Sequence, residues 1–241
     1  NNQKKINEIF SKIKFDIVIH CAWYTKHDKY RNSKLNYKYL EYSKFLLDTY
    51  IKNGGKNFIG IGTCEEYEKK KNSRNLFYEK SKIKPINLYA RCKNLFHIYL
   101  KKKKINYKWL RFFYLFGEGE NKKRLFPLIV RNLNSNRKIK LRYPNLRVDF
   151  LYIKNATKII KNLIKKKLNG EFNICSGQSV KLNDLVNFNI NKKINSKNKD
   201  FEEIRGSIKK LQESNCFVKF DFNKSLKKYI KSFKDIAPKS R

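Results

Sequence analysis

Tyr89 and Lys93 stand four positions apart in the stretch "NLYARCK". On a helix that spacing puts both side chains on one face, within reach of a common ligand. A free phenol, with a pKa of about 10, is a poor acid or base at neutral pH. A nearby ammonium favours the phenolate and lowers that value, so the pair is suited to pass a proton to or from a substrate oxygen. In a lysine-rich chain with 15 tyrosines the spacing by itself carries no weight. Thr63 supplies the context. It closes the buried apolar run "KNFIGIGT", at the carboxyl end of a strand, where open α/β sheets bind their ligands. Its hydroxyl is placed to hydrogen-bond the same oxygen.

The elements that must position these residues alternate. Residues 1–14 carry Ile6, Ile9, Phe10 and Ile13 at helical spacing. "FDIVIHCAW" (15–23) reads as a strand buried on both faces, and 33–53 as a long amphipathic helix stopped by Gly54 and Gly55. A strand over 56–63, a polar loop, a helix around 86–103 and a strand over 106–117 follow. This order implies a doubly wound parallel sheet of Rossmann-like type. Beyond Gly119 the pattern gives a helix near 125–135, strands near 138–142, 147–153 and 170–177, and a helix over 155–167. A polar loop follows 190, with short helices from Ile204 to Phe233. The expected division is 1–117, part of a nucleotide-binding domain, and 118–241, a smaller α/β substrate-binding domain. The strands near 147–153 and 170–177 are expected to return to the first sheet.

Composition bounds the function. The 241 residues are 40% hydrophobic, enough for a sizeable core, and carry a formal charge of +38. The basic residues are spread along the chain and keep company with abundant Asn, Ile, Tyr and Phe, all encoded by A/T-rich codons. Compositional drift therefore accounts for the charge, and specific nucleic-acid binding is not expected. No run is long enough to span a bilayer. The five scattered cysteines imply reduced thiols, a cytoplasmic setting and no metal site. His20 and Trp109 read as packed core residues. Glu65 and Glu66 read as a solvated loop, and "KKKK" at 101–104 as a solvated helix end. Asp149 reads as a partner of Arg147 or a cap on its strand.

Taken together, "FDIVIHCAW", "KNFIGIGTCEEYE", "LYARCK", "LRFFYLFGEGE", "RVDFLYI" and "FNICSG" follow the order of the extended short-chain dehydrogenase/reductase family, and within it the chain resembles the NAD-dependent epimerase/dehydratase branch. "GTCEEYE" and "RFFYLFGEGE" are similar to the 4-ketoreductases that make dTDP- or CDP-linked 6-deoxyhexoses for surface polysaccharides. The resemblance implies an enzyme using NAD or NADP on a nucleotide-sugar substrate. It implies Tyr89 as acid/base, Lys93 as the group that lowers its pKa and holds the nicotinamide ribose, and Thr63 as the hydroxyl orienting the reacting oxygen. Cys21, Ala22, Phe113 and Tyr114 fall where that family passes its cofactor, and Tyr114 also beside the substrate. Arg147 falls near the arginine that meets the sugar-nucleotide diphosphate, in a segment one residue longer than the family's. A homodimer through 33–53 and 86–103 is implied as well.

One family feature is missing. None of the nine glycines forms a glycine-rich turn between a first strand and a helix near the start. The expectation is an N-terminally incomplete Rossmann domain, the C-terminal part of a longer enzyme, that binds cofactor poorly and is impaired in stability. The competing reading is a truncated, non-catalytic relative acting as a binding module or a nonspecific polyanion binder.

Overall fold

The computed structural model describes residues 2–132, 139–186 and 202–236. They form two compact units, the first made of 1–68, 81–112 and 167–172, the second of 69–80, 113–166 and 173–241.

The first unit opens with α1 (Asn2–Lys12) and β1 (Val18–His20), followed by α2 (Leu35–Lys52), β2 (Asn57–Thr63), α3 (Leu88–Lys101) and β4 (Asn106–Phe112). β1, β2 and β4 are parallel neighbours, and β7 (Gly170–Ile174) completes the order β1-β2-β4-β7. α2 ends as a Schellman motif. Gly54 adopts φ +86° and donates to Ile51 O, while Gly55 donates to Tyr50 O. The Tyr50 hydroxyl then lies between the carbonyls of Asn57 (3.0 Å) and Phe15 (3.2 Å), tying the helix end to β2. Leu40, Leu47, Tyr50, Phe58, Phe96, Leu100 and Trp109 make the core under the two helices.

β2 and β4 are matched by shape as well as by hydrogen bonds. Gly60 pairs with Trp109 and Gly62 with Arg111. A Cβ on Gly60 would lie 2.5 Å from the Trp109 ring, and one on Gly62 2.4 Å from its indole nitrogen. Glycine inside a strand here makes room for a large neighbour.

The second unit holds a sheet in the order β3-β9-β6-β5, with β8 (Ser179–Lys181) antiparallel to β6. β3 is Arg74–Phe77, β5 Tyr114–Phe116, β6 Arg147–Tyr152 and β9 Glu203–Gly206. Phe116, Phe126, Phe150, Phe222 and Tyr229 pack as an aromatic core, with Phe116 stacked on Phe126 at 4.4 Å. α5 (Ile153–Ile164) buries Ala156, Ile159 and Leu163 on one stripe. α8 (Phe222–Ile236) does the same with Phe222, Leu226, Tyr229 and Ile230.

Several expectations change. The run 106–117 is two strands, β4 and β5, split at Phe113, whose N–H donates to Ile174 O. Residues 139–142 are irregular, and residue 138 and the polar segment 190–200 lie outside the described residues. β3 replaces part of the expected loop after Thr63, and β9 replaces the start of the expected C-terminal helices. Both are four-residue strands, too short to show a period. The remaining helices are α4 (Leu125–Asn132), α6 (Leu182–Val186) and α7 (Lys209–Glu213). Among the described residues no helix is long and apolar enough to cross a membrane.

Gly62→Ala should lower unfolding stability by about 1–3 kcal/mol through overpacking, seen as a lower urea midpoint. An unchanged midpoint would mean that the Trp109 indole has room to move.

Candidate active site

The centre of the site is the turn that follows β2. Thr63 is extended (φ −147°, ψ 148°) and caps a 3-10 turn, Cys64–Glu66. Its hydroxyl accepts from the Glu65 N–H (3.2 Å), and its own N–H donates to Glu66 Oε1 (2.9 Å), a capping box. Glu66 is fully buried. It accepts from Trp109 Nε1 (3.1 and 3.2 Å to its two oxygens) and from Arg111 Nε (2.8 Å). Arg111 continues to the Tyr67 hydroxyl (3.3 Å) and lies over its ring at 5.0 Å. Glu65 is buried too, held by Arg31 Nη2 (2.7 Å) and Asn87 Nδ2 (2.6 Å). The two glutamates are thus anchors of the turn, not a solvated loop. The T-x-x-E spacing of Thr63 and Glu66 is itself a capping-box signal. Arg111 and Arg31 carry no such signal, because only the fold brings them to a carboxylate.

α3 packs its first turns against this corner. Asn87 caps it, accepting from the Ala90 N–H (2.9 Å). Tyr89 lies in the first turn and Lys93 in the next, so the helix brings both to the turn that Thr63 begins. The Lys93 ammonium is almost completely buried, donates to Ile61 O of β2 (2.7 Å) and sits 4.0 Å from the Trp23 ring. It is 6.0 Å from the centre of the Tyr89 ring. Burial pulls its pKa down to about 7, against the opposing pull of Glu66. The Tyr89 pKa moves opposite to the expected lowering. Burial pushes it up, assisted by Tyr30 and the carboxylates of Glu65 and Glu66. The ammonium is turned to a strand carbonyl.

Of the other candidate residues, Cys21 lies near enough to Lys93 to oppose the lowering of its pKa. Cys21 and Ala22 are exposed just after β1. Phe113 and Tyr114 belong to the second unit, where Phe113 is buried and Tyr114 meets Phe150 edge-on at 5.9 Å. Arg147 is also in that unit and is buried, donating to Ser179 O (2.8 Å) and Ser179 Oγ (3.3 Å). The guanidinium ties β6 to β8. Asp149 neither pairs with Arg147 nor caps the strand. It accepts from Ser176 N (2.8 Å), Ser176 Oγ (2.6 Å), Gly177 N (3.0 Å) and Gly206 N (3.2 Å). His20 is packed against Phe58, Phe96 and Trp23, with Nε2 3.2 Å from Ser43 Oγ. Burial, with Lys93 nearby, lowers its pKa to about 4, so it is a neutral core residue.

The parallel sheet β1-β2-β4-β7, with α3 packed against the turn that follows β2, is a Rossmann-like α/β arrangement. Residues 1–175 match the model of the NAD dependent epimerase/dehydratase family, and the chain belongs to that family. Among proteins of curated function no sequence matches it. Its fold is similar to that of UDP-glucose 4-epimerase from Thermotoga maritima, solved with UDP-glucose (TM-score 0.76, 18% identity, 97% of this chain and 82% of that one). It is equally similar to UDP-N-acetylglucosamine 4-epimerase from Bacillus cereus (0.76, 19%, 99% and 83%). Bordetella bronchiseptica WbmG, solved with NAD and UDP, gives 0.77 at 16% identity over 97% and 77%.

Two expectations follow. Arg111→Met leaves the Glu66 carboxylate buried without its cation and should cost about 3–5 kcal/mol. Adding Glu66→Gln should recover part of that loss in denaturant unfolding, whereas strict additivity would show that the two side chains act independently. For His20, the unfolded state binds the proton more readily, so stability present above pH 6.5 is lost as pH falls toward 4. His20→Phe should remove on the order of 3 kcal/mol of that loss, read as the difference between the two pH–stability curves. Parallel curves would count against a neutral buried imidazole.

Proposed function

We propose that this chain carries the acid/base site of an NAD-dependent enzyme acting on a nucleotide-activated sugar, and that the reaction is reduction of a 4-keto-6-deoxyhexose linked to dTDP or CDP. The observation that carries the reading is that Lys93, on the helix of Tyr89, donates to Ile61 O near the carboxyl end of β2, two residues before Thr63. Family membership supports the reaction class. Structural neighbours solved with NAD, UDP or UDP-glucose support the cofactor and the substrate class.

The residues fit such a cofactor. An ammonium has three donors. Lys93 uses one on Ile61 O while the Trp23 face takes part of its charge, leaving donors for ribose hydroxyls beside the Tyr89 phenol. When bound, the nicotinamide supplies or accepts the hydride. The protein's own part is proton handling and orientation. Thr63 Oγ accepts from the Glu65 amide, which leaves its own O–H to donate to a carbonyl oxygen of the sugar. Tyr89 is held neutral by burial and so enters as a proton donor. A proton donor is what a ketone oxygen needs as it becomes an alcohol. Arg147, committed to Ser179, has no part in this reading. A homodimer through α2 and α3 belongs to the same proposal, supported by the exposed Tyr42, Leu95 and Ile98. Sedimentation of the chain at several concentrations would test it.

With reduced cofactor and a 4-keto-6-deoxyhexose nucleotide as substrate, Tyr89→Phe should lower turnover by roughly 10²–10⁴-fold. Circular dichroism should be unchanged. Full turnover in a folded Tyr89→Phe enzyme would remove the assignment.

A further inference from the structure

The segment between β1 and α2 passes directly beside Tyr89. It is pinned on one side by Asn36, which is completely buried. Asn36 Oδ1 accepts from Trp23 Nε1 (2.8 Å), and its Nδ2 donates to Tyr30 O (2.6 Å) and Ser33 O (2.8 Å). Between these points the chain turns through Lys26–Tyr30, with Asp28 at φ +63°. On the other side the tie is made by one residue. Arg31 O accepts the Tyr89 N–H (2.8 Å), a first-turn donor that has no acceptor within its own helix. The Arg31 guanidinium donates to Glu65 Oε1 (2.7 Å), while Glu65 Oε2 takes the side chain of Asn87, the cap of the same helix. Tyr30 is thereby set edge-on against Tyr89, ring centres 5.0 Å apart at 88°.

The two sides differ in strength. Asn36 makes three short bonds out of water. The Arg31 side chain is 55% exposed, against 9% for Glu65, and a half-exposed ion pair is a weak tie. Asn36 holds the carbonyls of Tyr30 and Ser33 on either side of Arg31, so loss of the ion pair should free the Arg31 side chain and the Tyr30 ring over the phenol while those two carbonyls stay fixed. Both Glu65 oxygens are engaged, so the carboxylate acts by holding the segment and the helix cap in register.

We propose that Arg31 and Glu65 are positioning residues for Tyr89: their ion pair latches residues 24–33 as a strap over the phenol and governs access to it. The consequence for catalysis rests on the acid/base reading of Tyr89, but the strap itself does not.

The test is limited nitration of the full chain with tetranitromethane, mapped by mass spectrometry. Tyr50 and Tyr67, 2% and 1% exposed, serve as internal references. Arg31→Gln and Glu65→Gln should each raise the rate at Tyr89 relative to those references by roughly five- to tenfold, the effect of losing one charge-assisted hydrogen bond. Arg31→Lys should restore it to within about twofold of the parent, since the charge is kept. Amide exchange should quicken over 24–33 and 88–90 and stay unchanged over β2 and β4. An unaltered rate at Tyr89 would overturn the proposal. So would an equal rise at Tyr50 and Tyr67, which would mean a general loosening of the unit. Neither readout needs substrate, so they stand or fall separately from the turnover of Tyr89→Phe. In the active enzyme, Arg31→Gln should lower kcat with KM little changed.

Discussion

A carboxylate and a guanidinium are buried together where β2 and β4 end, and the site depends on that pair. Taking either charge out of water costs several kcal/mol, so Glu66 and Arg111 are stable there only with each other and with further hydrogen-bond partners. Trp109 Nε1 and the Thr63 N–H donate to Glu66, and the Tyr67 hydroxyl accepts from Arg111. The buried carboxylate therefore dictates where three other groups must be, the Arg111 guanidinium, the Trp109 indole and the Thr63 N–H. Thr63 is one of them, which is how a flexible hydroxyl after a strand acquires a single position.

The same pair explains the glycines of β2. The indole of Trp109 can reach Glu66 only by crossing the face of β2 at Gly60 and Gly62, where any side chain would collide with it. Packing and polar satisfaction are solved by the same residues. A substitution at the strand acts on the carboxylate, and one at the carboxylate acts on the turn after β2. Lys93 repeats the arrangement on a smaller scale. Its ammonium is buried against the carbonyl of Ile61 and the face of Trp23, so the charge is stabilised by the strand and ring beside it.

The charge of this chain has a different standing. A surplus of +38 suggests an anionic partner, yet the acidic residues described above are not spread at random. Glu65 and Glu66 are buried at the candidate site, and Asp149 at the junction of three backbone segments. With so few carboxylates, those in structural positions are conspicuous, while most of the described lysines are exposed, in loops as well as on helices.

The long periodic elements were legible in the sequence, since α1, α2, β2, α3, β4 and α5 each announce themselves by apolar spacing or by a continuous buried run. The placement of Thr63 at a strand end and of Tyr89 and Lys93 on one helix was legible too, because those positions follow from the two elements alone. The short strands β3, β8 and β9 were not, for three or four residues cannot display a period. The partners of Glu65 and Glu66 were hidden for a stronger reason. Arg31 and Arg111 lie 34 and 45 positions away along the chain, and no local rule marks which of many cations will meet a given carboxylate. Arg147 shows the limit most directly: its residue type suits a phosphate, but in the fold its guanidinium is engaged by Ser179 of β8. Residue types and their periods determined the elements and the chemistry available. Only the tertiary structure decided which charges are buried, because burial depends on what the rest of the chain places around them.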